Sequence, residues 1–239
     1  EYTYEGNLKV LPSFGVVPVF GALGSLAGIP GVESNFALVL HGEQDIEIHR
    51  PIPTSAEVEN ETRLAGIYDK GKAALIVLEV ATKLKGGEPL FTNRFSIFAR
   101  GEGGFGGEAG PKPSNEAPSR APDASFESPT TPNQALLYRL SGDKNPLHAD
   151  PDFAKMGGFD KPILHGLCTF GVACKAIVDG LLDGDVKKVA RYQVRFAGVV
   201  YPGETVVTNA WKENGKILIS ATTKERGQPV LSNAAITLR

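Results

Sequence analysis

At 239 residues and 41% hydrophobic content, the chain has length for one large domain or two of about 120 residues each. A net charge of −2 and a pI near 6.1 give no electrostatic support for a nucleic-acid partner. No run of about 18 apolar residues is present, so no helical membrane span is expected.

In chain order, the stretch from Pro18 to Gly28 comes first. Gly21, Gly24 and Gly28 punctuate it and Pro30 follows. Each glycine costs roughly 1 kcal/mol of helix propensity. A short or broken helix is expected, with a gap under its sheet walled by Phe14, Val19, Phe20 and Leu23. Strands and turns follow. Asp69-Lys70-Gly71 and Lys85-Gly86-Gly87 carry hairpin-turn chemistry, as do Glu213-Asn214-Gly215 and Arg226-Gly227 near the other end.

These turns belong to an internal repeat. Gly71-Lys72, Pro89-Leu90-Phe91-Thr92-Asn93 and Phe98-Ala99-Arg100 close the first half. Gly215-Lys216, Pro229-Val230-Leu231-Ser232-Asn233 and Leu238-Arg239 close the second. Ile52-Pro53-Thr54-Ser55-Ala56-Glu57 likewise parallels Val200-Tyr201-Pro202-Gly203-Glu204. The boundaries expected are a first repeat over 1–100, a Gly/Pro-rich linker over 101–125 and a second repeat over 126–239.

The linker contains Gly101-Glu102-Gly103-Gly104-Phe105-Gly106, which spells a dinucleotide-binding fingerprint. That fingerprint needs a helix after it. Prolines 111, 113, 118 and 122 follow instead, so no nucleotide site is expected there and the segment belongs to no motif.

The chemistry sits in Ser141-Gly142-Asp143-Lys144-Asn145-Pro146-Leu147-His148. On a helix, Asp143 and His148 would point about 140° apart. Pro146 forbids the helix and pushes Asn145 into an extended conformation. A loop can aim the carboxylate, the amide and the imidazole at one water. Asp143 is the candidate base and His148 its partner acid or water-orienting group. Asn145 is read as touching the water or the substrate, the alternative being that it merely stabilises the turn. Upstream of Pro18 no acid-x4-His arrangement exists. A metal held by Asp143, His148, Asp150 and His165 is disfavoured, because their spacing matches no metal motif.

Pro162-Ile163-Leu164-His165-Gly166-Leu167 leads into apolar residues at three-and-four spacing: Leu167, Phe170, Gly171, Cys174, Ile177, Val178 and Leu181. A helix of about 16 residues is expected from near Gly166 to Gly180 or Gly184. Its first N–H groups lack internal partners, which makes Gly166 an oxyanion donor for a carbonyl gaining negative charge. His165 and Tyr138 are read as structural. Cys168 and Cys174 lie about 120° apart on this helix, so no disulfide is expected, and reduced thiols fit an intracellular compartment. Cys168 is read as a small buried residue rather than a nucleophile.

Tyr138, the Ser-Gly-Asp-Lys-Asn-Pro-Leu-His run and the Pro162–Leu167 element together resemble the hydratase 2 family, the MaoC-like (R)-specific enoyl-CoA hydratases. The resemblance implies an α+β double hot-dog, two repeats of an antiparallel sheet wrapped around a helix. It implies a lyase that reversibly hydrates trans-2-enoyl-CoA to (3R)-3-hydroxyacyl-CoA in fatty-acid β-oxidation. The R stereochemistry comes from the resemblance alone. Catalytic roles fall on Asp143, His148, Asn145 and Gly166. Substrate contacts fall on His41 and Gly42 of Leu40-His41-Gly42-Glu43-Gln44, on Lys70 and on Phe196. No cofactor and no metal is implied, coenzyme A being part of the substrate.

An acyl-CoA thioester is the expected partner, with no nucleic acid or membrane, and with self-association as a homodimer. The sequence opens on Glu1, so a piece of a larger multifunctional chain is expected, peroxisomal by resemblance. Ala235-Ile236-Thr237-Leu238-Arg239 is not a Ser-Lys-Leu address. The alternatives are a 3-hydroxyacyl dehydratase acting on carrier-protein thioesters, a thioesterase, and a non-catalytic acyl-CoA-binding hot-dog.

Overall fold

Nine strands form one antiparallel sheet in the computed structural model, which describes residues 2–21, 24, 39–112 and 114–239. The strands are β1 (Val39–Ile48), β2 (Val58–Asp69), β3 (Ala73–Leu84), β4 (Pro89–Arg100), β5 (Ala124–Pro129), β6 (Val189–Phe196), β7 (Thr205–Glu213), β8 (Lys216–Thr223) and β9 (Pro229–Leu238). Their spatial order is β2-β3-β4-β1-β6-β9-β8-β7-β5. Read outward from the β1–β6 seam, the order 1-4-3-2 on one side meets 6-9-8-7 on the other. The sequence repeat is thus a structural repeat, with β5 added at one edge. Glycines close the hairpins as the turn chemistry requires: Gly71, Gly86, Gly215 and Gly227 all have positive φ.

The seam joins the repeats by antiparallel pairing from Glu43 with Arg195 to Glu47 with Arg191. Charged side chains reinforce it. Arg191 donates to both oxygens of Asp45, at 2.8 and 2.5 Å, and Arg195 donates to Glu43 at 2.8 Å. On neighbouring strands Glu79 accepts from Arg63 and Arg94, each at 2.8 Å. Opposite charges facing one another across antiparallel strands disfavour a shifted register.

The helix expected from Gly166 is α3, Gly166–Leu181, with Leu167, Phe170, Cys174, Ile177 and Val178 of its apolar stripe buried. The others of that stripe, Gly171 and Leu181, are half-buried. Two shorter helices precede it, α1 (Gln134–Tyr138) and α2 (Pro151–Met156). Phe170 stacks on Tyr192 of β6 with ring centroids 4.2 Å apart, and the Tyr192 hydroxyl donates to the Phe170 carbonyl at 3.1 Å. Gly180 lets β5 approach, since a Cβ there would lie 2.3 Å from the Phe126 ring. Cys168 and Cys174 are free and buried, as expected.

The first repeat is built differently. Most of Pro18–Gly28 lies outside the described residues. Upstream of it a short 3-10 helix, Pro12–Val16, packs against α3, β1, β4 and β6. Asn93 ties it down by donating to the Gly15 carbonyl at 3.0 Å while accepting from Gln44 at 2.9 Å. Of the four expected channel walls, only Phe20 lines a cavity. Val19 is in the core at 1% exposure, Phe14 faces solvent at 51%, and Leu23 lies outside the described residues.

Candidate functional site

Pro146 does what its ring dictates. Asn145 is extended at ψ 124, and Pro146–His148 forms one 3-10 turn. The loop holds its own shape. Asp143 Oδ1 accepts the N–H of Asn145 at 3.1 Å, and Asn145 Oδ1 accepts the N–H of Leu147 at 3.0 Å. Gly142, with φ 121, supplies the reversal before Asp143.

The loop then docks on the start of α3. His148 Nδ1 lies 2.9 Å from the Ile163 carbonyl, which can only accept, so Nδ1 carries the proton and Nε2 of the neutral ring carries the lone pair. His165, the N-cap residue of α3, donates from Nε2 to the Asp143 carbonyl at 3.1 Å. Its ring stacks on His148, with centroids 3.7 Å apart, and meets the Tyr138 ring at a tilt at 4.9 Å. His148 and His165 are both buried, at 8% and 1% exposure.

Burial sets the charge state. It lowers the pKa of His148 against the Ile163 hydrogen bond and the Asp143 charge. It holds His165 at about 3, with the neighbouring His148 pushing the same way. It pushes the Cys168 thiol up to about 12, which agrees with the inert role expected of that residue.

A carboxylate oxygen of Asp143 and a ring nitrogen of each of His148 and His165 lie within 4.8 Å of one another. One water spans such a gap with two ordinary hydrogen bonds. A metal fits less well. A backbone carbonyl on one nitrogen of each imidazole leaves the other nitrogen free as a ligand, but His165 does not line the cavity that Asp143 and His148 open into.

That cavity encloses about 1350 Å³. It takes in every residue to which a catalytic or substrate-contact role was assigned from the sequence: Asp143, Asn145, His148, Gly166, His41, Gly42, Lys70 and Phe196. Gly166 is the first residue of α3, and a Cβ there would sit 3.1 Å from the Phe196 ring, so this aromatic closes over the helix N-terminus. Phe196 in turn meets His41 edge-on at 4.9 Å. His41 donates from Nε2 to the Glu43 carbonyl at 3.0 Å across a β-bulge at Gly42, and burial holds its pKa down at about 4. Asn145 is exposed with its carbonyl spent on the loop, which leaves its amide N–H groups for another partner.

The sequence reading missed two features. The rim carries the exposed cations Arg100, Lys112 and Lys144 besides Lys70. The linker is also not an inert connection: Ala109, Gly110, Pro111 and Lys112 form part of the wall, and the last two linker residues open β5. Its proline run did contain the signal. Prolines exclude a helix but suit an extended segment laid over a surface.

Comparison with known proteins shows the family. Residues 113–234 match the model of the MaoC like domain, and residues 1–101 match the MFE-2 hydratase 2 N-terminal domain. Enoyl-CoA hydratase ChsH3 of Mycobacterium tuberculosis is 47% identical over 97% of this chain and 82% of its own. Peroxisomal multifunctional enzyme type 2 of Mus musculus is 45% identical over 100% of this chain, which spans 33% of that relative's length. The crystal structure of a MaoC-like dehydratase from Phytophthora capsici superposes with a TM-score of 0.88 at 36% identity, covering 100% of this chain and 86% of that one.

Proposed function

The chain belongs to the MaoC-like family, its MaoC-like domain preceded by a hydratase 2 N-terminal domain, and on that premise we propose that it is a hydro-lyase adding water to trans-2-enoyl-CoA to give (3R)-3-hydroxyacyl-CoA. The observation that carries the reading is the pair of acceptors, the Asp143 carboxylate and the His148 Nε2 lone pair, on two residues that line one cavity with a cationic rim.

A water donating one hydrogen to each acceptor turns an oxygen lone pair away from both, toward C3 of the enoyl group. The Asn145 amide N–H completes the tetrahedron around that oxygen. Asp143 takes the proton as the C3–O bond forms, and the electron pair moves to the thioester oxygen. The Gly166 N–H, unpaired within α3, meets that charge. The proton held on Asp143 returns to C2, so the elements of one water end on C3 and C2. His148 therefore orients the water as an acceptor rather than serving as the acid, because its only ring proton faces Ile163.

The second repeat supplies these groups. The first supplies Leu40, Leu75, Ile97 and Phe98, an apolar wall for the acyl chain. Lys70, Arg100, Lys112 and Lys144 suit the phosphates of coenzyme A. By analogy with the relatives, the chain works in β-oxidation within peroxisomes as part of a larger multifunctional protein. The test is loss of enoyl absorbance with crotonyl-CoA and with a long-chain enoyl-CoA, the product resolved by chirality. A 3S product, or no turnover of either substrate, overturns the reading.

A further inference from the structure

The glycine run Gly101-Glu102-Gly103-Gly104-Phe105-Gly106 does build an anion-binding cup, and its anion comes from the chain itself. Asp69, the last residue of β2, accepts N–H groups from Gly71 at 2.7 Å, Gly104 at 2.9 Å and Gly106 at 2.8 Å. Several backbone N–H groups converging on one anion are the device that phosphate-binding loops use. Gly104 and Gly106 reach it with φ of 82 and 79, conformations that L side chains rarely adopt. Gly103 is pressed against the hairpin so closely that a Cβ would lie 2.4 Å from the Ala73 nitrogen.

The same hairpin grips the strap further along. The backbone N–H of Asp69 donates to the Glu108 carbonyl at 2.8 Å, and Lys70 Nζ donates to the Ala109 carbonyl. Directly beyond these anchors, Ala109, Gly110, Pro111 and Lys112 enter the cavity wall. The side chains of Arg100 and Lys112 have no hydrogen-bond or ion-pair partner among the described residues, although both residues line the rim. The strap thus hangs an unpaired cation at the mouth, and Asp69 is the group that gathers its glycines.

We propose that Asp69 is a positioning residue which, through the strap Gly101–Pro111, holds Lys112 and the rim wall where they receive the phosphate-bearing nucleotide half of a coenzyme A thioester. This rests on the hydratase reading, because it names the part of that substrate the strap serves. Asp69 lies outside the water-holding pair, so it sets affinity for one half of the substrate and leaves the chemical step alone.

The experiment compares wild type with Asp69→Ala on two substrates that share an acyl group, an enoyl-CoA and the corresponding enoyl-pantetheine, which lacks the nucleotide phosphates. The account expects KM for the CoA thioester to rise about tenfold or more, as for a lost charge-assisted contact. It expects kcat to stay within about twofold and the pantetheine thioester to be unaffected. Asp69→Asn, which keeps one acceptor oxygen, should fall between the two. An equal loss on both substrates would make Asp69 merely structural and overturn the proposal, as would an unchanged KM for the CoA thioester.

Binding of free coenzyme A, followed by calorimetry, needs no turnover and separates this claim from the hydratase reading. If wild type binds coenzyme A but hydrates nothing, the hydratase reading falls. The strap then stands only if Asp69→Ala weakens that binding about tenfold. Should Asp69→Ala fail to fold, Lys112→Ala, an exposed and unpaired position, should weaken coenzyme A binding and spare pantetheine. Unaltered binding there overturns the proposal.

Discussion

Replacing His148 with asparagine separates the two jobs of its ring. The Nδ2 of an asparagine stands close to where Nδ1 of histidine stands, so His148→Asn keeps a donor for the Ile163 carbonyl, now 2.9 Å from the imidazole. It places nothing at the Nε2 position, so the water loses an acceptor. His148→Ala removes both functions. In a pocket where His148 is 8% exposed and Ile163 6%, the orphaned carbonyl should cost roughly 1–3 kcal/mol. For a chain of this size that corresponds to about 2–12 °C in melting temperature. Both variants also lose the stacking on His165 at 3.7 Å, which cancels in the comparison. His148→Asn should therefore melt above His148→Ala by that margin, while both lose about 10²–10⁴-fold in kcat. Calorimetry and the hydration assay on the same samples decide it. Equal melting temperatures would refute the Ile163 anchor, and a His148→Asn variant keeping more than about a tenth of kcat would refute the role of Nε2.

Gly166→Ala places a methyl 3.1 Å from the Phe196 ring, so the ring must shift and the carbonyl must retreat from the helix N-terminus. We expect kcat to fall by about 10-fold or more with KM moving less, measured by steady-state kinetics on crotonyl-CoA. Asn93→Ala orphans the Gly15 carbonyl and leaves the Gln44 amide only its 3.4 Å bond to the Asp45 carbonyl, and should cost about 1–3 kcal/mol in denaturant unfolding without touching the cavity. Acid should unfold the protein through its buried imidazoles. His165 has a folded pKa of about 3 against an ordinary value of 6.5, so its contribution is complete above 6.5 and is lost as pH falls toward 3. His165→Phe should therefore flatten the acid limb of the melting-temperature profile, and an unchanged slope would show that His165 is not a source of that limb.

The Asp143–His148 loop was legible because a single proline decides its conformation, and the helix after it because seven apolar positions share one stripe. The repeat was legible through its turns, since Gly71 and Gly215, and Gly86 and Gly227, sit at hairpin corners that require positive φ. The seam was not. Pairing of Glu43–Glu47 with Arg191–Arg195 joins residues about 150 positions apart, and no local pattern encodes it. His165 was read as structural, but a buried ring's hydrogen bond to a loop carbonyl leaves no trace in spacing. The rim cations escaped because Arg100 ends a strand and Lys112 lies in coil, where charge is the default. The strap escaped because a cup of backbone N–H groups is visible only once the carboxylate that fills it is in place.

The central claim is that Asp143 and His148 share one water and that Asp143 carries its proton. The direct measurement is kcat for hydration of an enoyl-CoA by Asp143→Asn, a change that keeps the Oδ1 acceptor for the Asn145 N–H and hence the loop. The account predicts a folded variant with kcat reduced at least about 10²-fold. It also predicts that adding His148→Asn costs little more, because the two groups act as a unit. A folded Asp143→Asn variant retaining more than about a tenth of wild-type kcat would contradict it.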